Sequence, residues 1–406
     1  MKKSLIAAAA LTAFAGAAAA QSSVTISGVL DAGYNSFSTQ AGTAAKATQR
    51  GVAFNGVDSS RLNLTALEDM GGGLKAGAVV ETWLSDIPRY GFDYKTKGAV
   101  SGATGTTPSA AGDIGFATKT ATSLGDRLFY ANLVSGNSEI RLGKQSAFLR
   151  DIATAYQADG ANLVGNAVAN DGVLAGRMAA ATYLYNANGF TFGAAMLQNV
   201  AEKDGTADVK TATGETFKLA YATGPLSVAA AYQRTKTSTA AGSTAVTWSA
   251  TNTAATGVTY TTATEVGSGY WKTTAAAAAT DVKTTASILA ASYDFGVAKA
   301  FAQYGKVKAD DNLANSADSD RHFTSVGFRA PVGKVELRAQ YTMGKATYGN
   351  IDTGYKGDVT GYTAVALYNF SKRTSAYVGY GQTEQDTSAS ATTKATNYAV
   401  GMIHAF

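Results

Sequence analysis

Apolar and polar residues alternate with period two through most of this chain. Val24, Ile26, Leu30 and Ala32 fall on one face of an extended segment, and Thr25, Ser27 and Asp31 on the other. Leu62, Leu64 and Ala66 oppose Arg61, Asn63 and Thr65 in the same way, and Ala76, Ala78, Val80 and Leu84 oppose Lys75 and Glu81. Later, Val335, Leu337, Ala339 and Tyr341 oppose Glu336, Arg338 and Gln340. The chain ends on such a segment: Tyr398, Val400, Met402, His404 and Phe406 against Asn397, Ala399, Gly401, Ile403 and Ala405. Strand side chains point alternately to the two faces, so each segment reads as a strand with one apolar and one wet side.

The pattern predicts sixteen strands, at 24–34, 59–67, 75–84, 127–134, 139–145, 177–186, 190–198, 214–223, 226–236, 284–293, 297–306, 322–330, 334–343, 359–370, 373–383 and 396–406. Short connections at Glu68–Gly73, Ser135–Ser138, Ala187-Asn188-Gly189, Gly224-Pro225, Asp294–Gly296, Pro331–Gly333 and Ser371-Lys372 carry the Gly, Pro, Asn and Asp of tight turns. Between them lie long loops at 35–58, 85–126, 146–176, 199–213, 237–283, 307–321, 344–358 and 384–395. Lipid tolerates neither charge nor unpaired backbone, so a sheet with an apolar face must close on itself. The expected fold is therefore all-β: a 16-stranded antiparallel transmembrane β-barrel with short periplasmic turns and long external loops. The 237–283 loop, rich in Thr and Ala, reads as mobile surface chain, with Tyr260, Tyr270 and Trp271 as groups to pin it to the rim.

Composition agrees with this. Cysteine is absent, prolines number 4, and 44 glycines and 21 tyrosines suit a large sheet with aromatic girdles. Met1-Lys2-Lys3, an apolar run from Leu5 to about Ala15, and Ala18-Ala19-Ala20 read as a signal peptide over 1–20, leaving 21–406 as the barrel. No later segment is a continuous apolar run of the ~20 residues that a spanning helix needs. The net charge of +5 comes without a dense basic run, which argues against a nucleic-acid partner. His322 and His404 are isolated and suggest no metal site, and Gly71-Gly72-Gly73 lacks the Gly-Lys-Ser/Thr of a phosphate loop. No nucleophile beside a base emerges, so the reading is of a protein that is not an enzyme and needs no cofactor.

The mature start Gln21-Ser22-Ser23-Val24-Thr25-Ile26-Ser27-Gly28 resembles that of the general porins of Gram-negative bacteria, of the type found in Neisseria and Burkholderia relatives. Ser60-Arg61-Leu62 with Glu68–Lys75 is similar to their second hairpin, and Arg141-Leu142-Gly143-Lys144-Gln145 resembles the strand leading into their constriction loop. Tyr368, Ser371–Thr374, Tyr377, Ala399-Val400-Gly401 and Phe406 are similar to their last two strands. There are departures. Thr65 and Lys144 stand where arginines are usual, Ala180-Ala181 replaces an Asn-Ser pair, and Ile403 and Ala405 occupy inward positions where basic residues are common.

The resemblance implies a third loop folded into the barrel after the fifth strand, here Ser146 to about Gly176, with Arg150, Asp151, Asp159 and Asp171 and a short helix within Phe148–Ala158. A basic wall would face it: Arg61 and Arg141 by parity and motif, Lys75, Arg329 and Arg338 by parity, and Lys144 near a strand end, as is Arg127. Glu336 and Arg338, same-face neighbours, are placed to neutralise each other. Facing charges of opposite sign make a transverse field that orients polar solutes. The resemblance also implies a homotrimer in the outer membrane, with the small outward residues Gly28 and Ala32 near its interface. The bilayer, lipopolysaccharide and, through Tyr398 and Phe406 of the last strand, the barrel-assembly machinery would be its partners. The expected function is passive diffusion of ions and small hydrophilic solutes with a mild anion preference. The alternatives are a channel favouring a class such as dicarboxylates or sugars, and a non-conducting surface adhesin.

Overall fold

The computed structural model describes residues 22–84, 124–160, 162–163, 176–201, 210–239, 245–249, 258–262, 270–274, 280–311, 319–348, 355–388 and 391–406. The elements in chain order are β1 (Ser23–Ala41), β2 (Ala47–Phe54), β3 (Arg61–Gly71), β4 (Leu74–Trp83), β5 (Leu128–Ser135), β6 (Ser138–Ser146), α1 (Phe148–Ala155), β7 (Arg177–Ala187), β8 (Phe190–Ala201), β9 (Lys210–Thr223) and β10 (Leu226–Thr239). They continue with β11 (Ala245–Ser249), β12 (Val258–Thr262), β13 (Tyr270–Thr274), β14 (Thr280–Asp294), β15 (Lys299–Asp311), β16 (Ser319–Val332), β17 (Val335–Tyr348), β18 (Tyr355–Asn369), β19 (Thr374–Ser388) and β20 (Ala391–Ala405).

Seventeen strands form one antiparallel sheet. Two of them share a single place, because β1 pairs with β3 through Ser23–Val29 and with β2 through Ala32–Thr39 on the same edge. The barrel therefore has the sixteen staves the alternation predicts. It closes where β1 pairs with β20, Val29 opposite Ala405 and Ala41 opposite Thr393. The split stave is a correction: 35–58 is not a loop, since β1 runs on to Ala41, β2 returns along it, and only 55–60 leave the wall. No apolar alternation marks Ala47–Phe54, which is why the pattern misses it.

Other strands also outrun their expected ends. Residues 384–395 were expected to be a loop, yet β19 reaches Ser388 and β20 starts at Ala391. Beyond the lipid both faces of a strand are wet, so hydrogen bonding continues after the apolar alternation has stopped. The 237–283 segment differs from the expected unstructured chain too: β11, β13 and β12 make a small antiparallel sheet. The side chains of Tyr260, Tyr270 and Trp271 lie outside the described residues, as do Asp171 and the whole of 1–21.

The tight turns follow the residues. Asn188 and Gly189, both at positive φ (50° and 82°), make the two-residue hairpin between β7 and β8. Outward side chains are apolar, with Val24, Ile26, Leu142, Leu219, Leu289 and Val400 exposed to lipid. Aromatic pairs band the wall: Tyr362, Tyr380 and Tyr398 in series at 5.7 and 4.8 Å, and Phe190–Tyr221, Tyr293–Phe295 and Tyr368–Phe370 near the turns.

The interior is not polar throughout. Phe148, Leu149, Ile152 and Ala153 of α1 are buried on one side of the helix. They pack on inward-facing Ala229, Ala231, Ala286, Ile288, Ala290 and Phe301. Fully burying such side chains stabilises by about 2 kcal/mol each. Alanines on the wall leave the room that a helix needs inside a barrel.

Candidate functional site

Two segments enter the lumen and meet there. The first is 55–60, which interrupts the second stave. Asn55 turns the chain at φ 64°. The Asp31 carboxylate of β1, 0% exposed, then accepts from the amides of Val57 and Asp58, both at 2.7 Å, and from the Tyr377 hydroxyl at 2.6 Å. Ser60 closes the excursion, accepting from the Asp31 amide at 2.9 Å and donating to the Asp31 carbonyl at 3.1 Å. Gly56 is required here, since a Cβ would meet the Tyr377 hydroxyl at 2.0 Å.

The second segment is the infolded loop, whose helix begins at Phe148 as expected. Past the helix its backbone is clamped to the wall. Gln340 accepts from the Ala158 amide at 2.9 Å, and the Arg329 guanidinium donates to the carbonyls of Ala158 and Gln157 at 2.8 and 2.9 Å. Thr363 donates to Asp159 at 2.8 Å. The tip reaches the first segment: Leu163 packs with Val57 and Tyr377, and the Ser59 hydroxyl donates to Asn162 at 3.3 Å.

These contacts change several expected roles. Asp159 is 0% exposed and faces the wall, so its charge is spent on anchoring and not on the aqueous lumen. Arg329 lies inside, as its parity requires, but its fork is occupied by loop carbonyls. Lys144 is corrected: it shares the outward side of β6 with Ile140 and Leu142, and its ammonium donates to the Asp126 carbonyl. Arg141 faces inward and is held by its own strand neighbour, donating to both oxygens of Glu139 at 2.8 Å. Arg338 is likewise bound to Glu336 at 2.5 Å, the neutralisation expected of that pair. Lys75 is exposed beside the β3–β4 turn, far along the stave from the loop.

The other inward charges gather at the external ends of β3, β4, β5 and β7. Glu81 lies 2.5 Å from Arg127 and 3.9 Å from Arg61. Arg61 also holds Asp58 at 2.9 Å, so the first lumen segment supplies an acid to the wall arginine. Trp83 has the Arg127 guanidinium at 4.0 Å and that of Arg177 at 5.7 Å from its ring centre. Arg150 of α1 is within electrostatic reach of Arg127, Glu81 and Asp151. On the same helix Asp151 faces Lys218 of β9 at 3.9 Å. Burial pushes the Asp151 carboxyl above its ordinary range, and Lys218, Arg141 and Arg150 oppose that shift.

The alternation placed Arg61, Arg141, Arg329 and Arg338 inside. It did not mark Asp58, which lies in the break of its stave, or Arg177 and Lys218, whose importance depends on partners distant in sequence. The one available signal was Lys218 between outward Phe217 and Leu219.

Comparison with known proteins places this geometry. The profile of the Gram-negative porin family matches residues 7–285 and 242–388. The outer membrane porin protein 32 of Delftia acidovorans is 28% identical over 393 residues, covering 93% of this chain and 88% of that protein. The anion-selective porin from Comamonas acidovorans superposes with a TM-score of 0.61 at 23% identity, covering 95% of this chain and 100% of the other. The trimer form of OmpT from Vibrio cholerae gives 0.56 at 18% identity, over 95% and 99%.

Proposed function

The chain belongs to the Gram-negative porin family, and on that premise we propose that its ion preference is mildly anionic and is set where the two lumen segments meet the arginines of the wall. The protein itself is an outer-membrane channel for passive diffusion, not an enzyme. The observation that carries the selectivity is Glu81, a single carboxylate placed between Arg61 and Arg127. Around it stand Arg150 and Arg177, with Asp58, Asp126 and the Asp151–Lys218 pair. Cations exceed acids in this group by one charge. Arg127 Nη1 and Arg177 Nε are buried without a hydrogen-bond partner among the described residues, so their charge acts on the lumen through its field and not by contact. The excess is small and the mouth is wet, so the preference is weak and falls with salt. The anion-selective porin from Comamonas acidovorans, which shares the fold, has the same sign.

Arg61, Arg127 and Arg150 are thus the proposed selectivity residues. Arg141 and Arg338 act as neutral pairs, and Arg329 as the loop anchor. Replacing Arg127 and Arg150 with Gln should move the zero-current potential in a salt gradient toward cations. An unchanged potential would overturn the assignment.

The barrel is further proposed to be a homotrimer that contacts lipopolysaccharide in the outer leaflet. Its last strand would be read by the barrel-assembly machinery through Tyr398 and Phe406, both outward on β20 and its end. Gly28 is already covered by the Phe406 ring, which leaves Ala32 as the small outward residue for an interface.

A further inference from the structure

Outside the barrel, toward the external ends of β8, β9, β10 and β14, lies a cleft of about 690 Å³ lined by Met196, Glu215, Arg234, Lys236 and Lys283. Its charges stand on the outward face, where lipid would be. Arg234 and Lys236 follow Tyr232 along β10 by two and four residues, ~7 and ~14 Å further out. Tyr232 and Tyr304 are exposed aromatics of the kind that mark the boundary between hydrocarbon and headgroups. The cations therefore sit at headgroup height in the external leaflet.

Their arrangement leaves one cation in excess, beside a second lysine. Lys236 lies directly opposite Lys283 across the β10–β14 ladder. Like charges directly opposed destabilise a sheet. Arg234 is paired with Glu215 at 2.7 Å and Lys236 with Asp281 at 3.2 Å, whereas Lys283 is exposed and has no ion-pair partner among the described residues. Directly below the cleft is a groove of opposite character. Phe192, Phe217, Leu219, Tyr232, Leu289 and Tyr304 line it, and its volume is about 460 Å³. The strand register makes the two continuous, because Phe217 opposes Tyr232 as Glu215 opposes Arg234.

We infer that this face binds a phosphorylated, acylated glycolipid of the outer leaflet, its phosphate between Lys236 and Lys283 and an acyl chain along the Phe217–Leu289 groove. The inference rests on the lipopolysaccharide contact proposed above and gives it a site. A cationic cleft stacked on an apolar groove matches a lipid carrying phosphate on its headgroup. A free anion would have no use for the groove.

The test is native mass spectrometry of the refolded mature protein titrated with purified bisphosphorylated lipid A, beside dephosphorylated lipid A. Wild-type barrel should retain lipid A. The double variant Lys236→Gln/Lys283→Gln should bind it on the order of tenfold more weakly, with conductance unchanged because both residues face outward. Lys345→Gln, which removes an outward lysine paired with Asp358 at 3.3 Å on another stave, should have no effect. Equal binding by the double variant and wild type would overturn the site while leaving the lipopolysaccharide contact standing. Loss of lipid A from wild type as well would overturn both. Equal binding of dephosphorylated lipid A would overturn recognition through phosphate.

Discussion

Tyr377 donates its hydroxyl proton to Asp31 at 2.6 Å across the seam at which the barrel closes. The two residues lie on β19 and β1, with β20 between them. Tyr377 reaches over Gly401, where a Cβ would come within 2.6 Å of the hydroxyl. The same carboxylate holds the amides of Val57 and Asp58. One buried acid therefore ties the first strand, the penultimate strand and the inner segment that presents Asp58 to Arg61.

Tyr377→Phe removes one hydrogen bond to a buried charge and should cost about 1.5–3 kcal/mol. Asp31→Leu strands the buried Val57 amide and the half-buried Asp58 amide and should cost more. Both are measurable as shifts in the denaturant midpoint of the refolded barrel. A double-mutant cycle of Tyr377→Phe with Asp31→Asn should show coupling, because the two share one bond. Additive effects would show that the seam contact is idle.

Arg329→Lys should loosen the infolded loop. A lysine is a point charge and cannot satisfy the two carbonyls of Gln157 and Ala158 with a rigid fork. Single-channel records should then show larger current noise, with the sign of ion preference kept. Quiet records identical to wild type would mean that α1 packing alone holds the loop.

Gly28 and Phe406 exchange backbone hydrogen bonds of 2.9 and 3.0 Å at the closing seam. A Cβ on Gly28 would sit 2.4 Å from the Phe406 ring. Gly28→Val should therefore displace the terminal ring and lower the yield of heat-modifiable barrel in refolding. Normal yield would show that the ring has another place to go.

The wall was legible in the sequence and the lumen only in part. Alternation needs just one strand and one solvent boundary, so Leu62 against Arg61 or Leu337 against Arg338 is readable without knowing the neighbours. Whether an inward charge faces water depends on what folds against it. Arg329 shares the inward side with Arg61, yet it is consumed by the loop, and Asp159 of the loop is consumed by Thr363 of the wall. That loop docks on Ala229, Ala231, Ala286 and Ala290, a patch assembled from two strands. Asp58 was hidden for another reason: its stave breaks at 55–60, and a period-two pattern cannot register a break.

Burial holds the Asp151 carboxyl above its ordinary range. As pH falls it should gain its proton before exposed aspartates do, removing a negative charge from the lumen face of α1. The zero-current potential should shift toward anions on acidification, and Asp151→Asn should show that shift already at neutral pH. A pH response of equal size in Asp151→Asn would place the titrating group elsewhere.

The central claim is that a small excess of cationic over acidic side chains around Glu81 gives this porin its preference. The direct measurement is the zero-current potential of the purified wild-type channel across a potassium chloride gradient, taken at low and at high mean salt. The predicted result is a modest potential of anion-selective sign that shrinks toward zero as screening shortens from ~10 Å at 0.1 M to ~3 Å at 1 M. A potential of cation-selective sign, or a large one indifferent to salt, would contradict it.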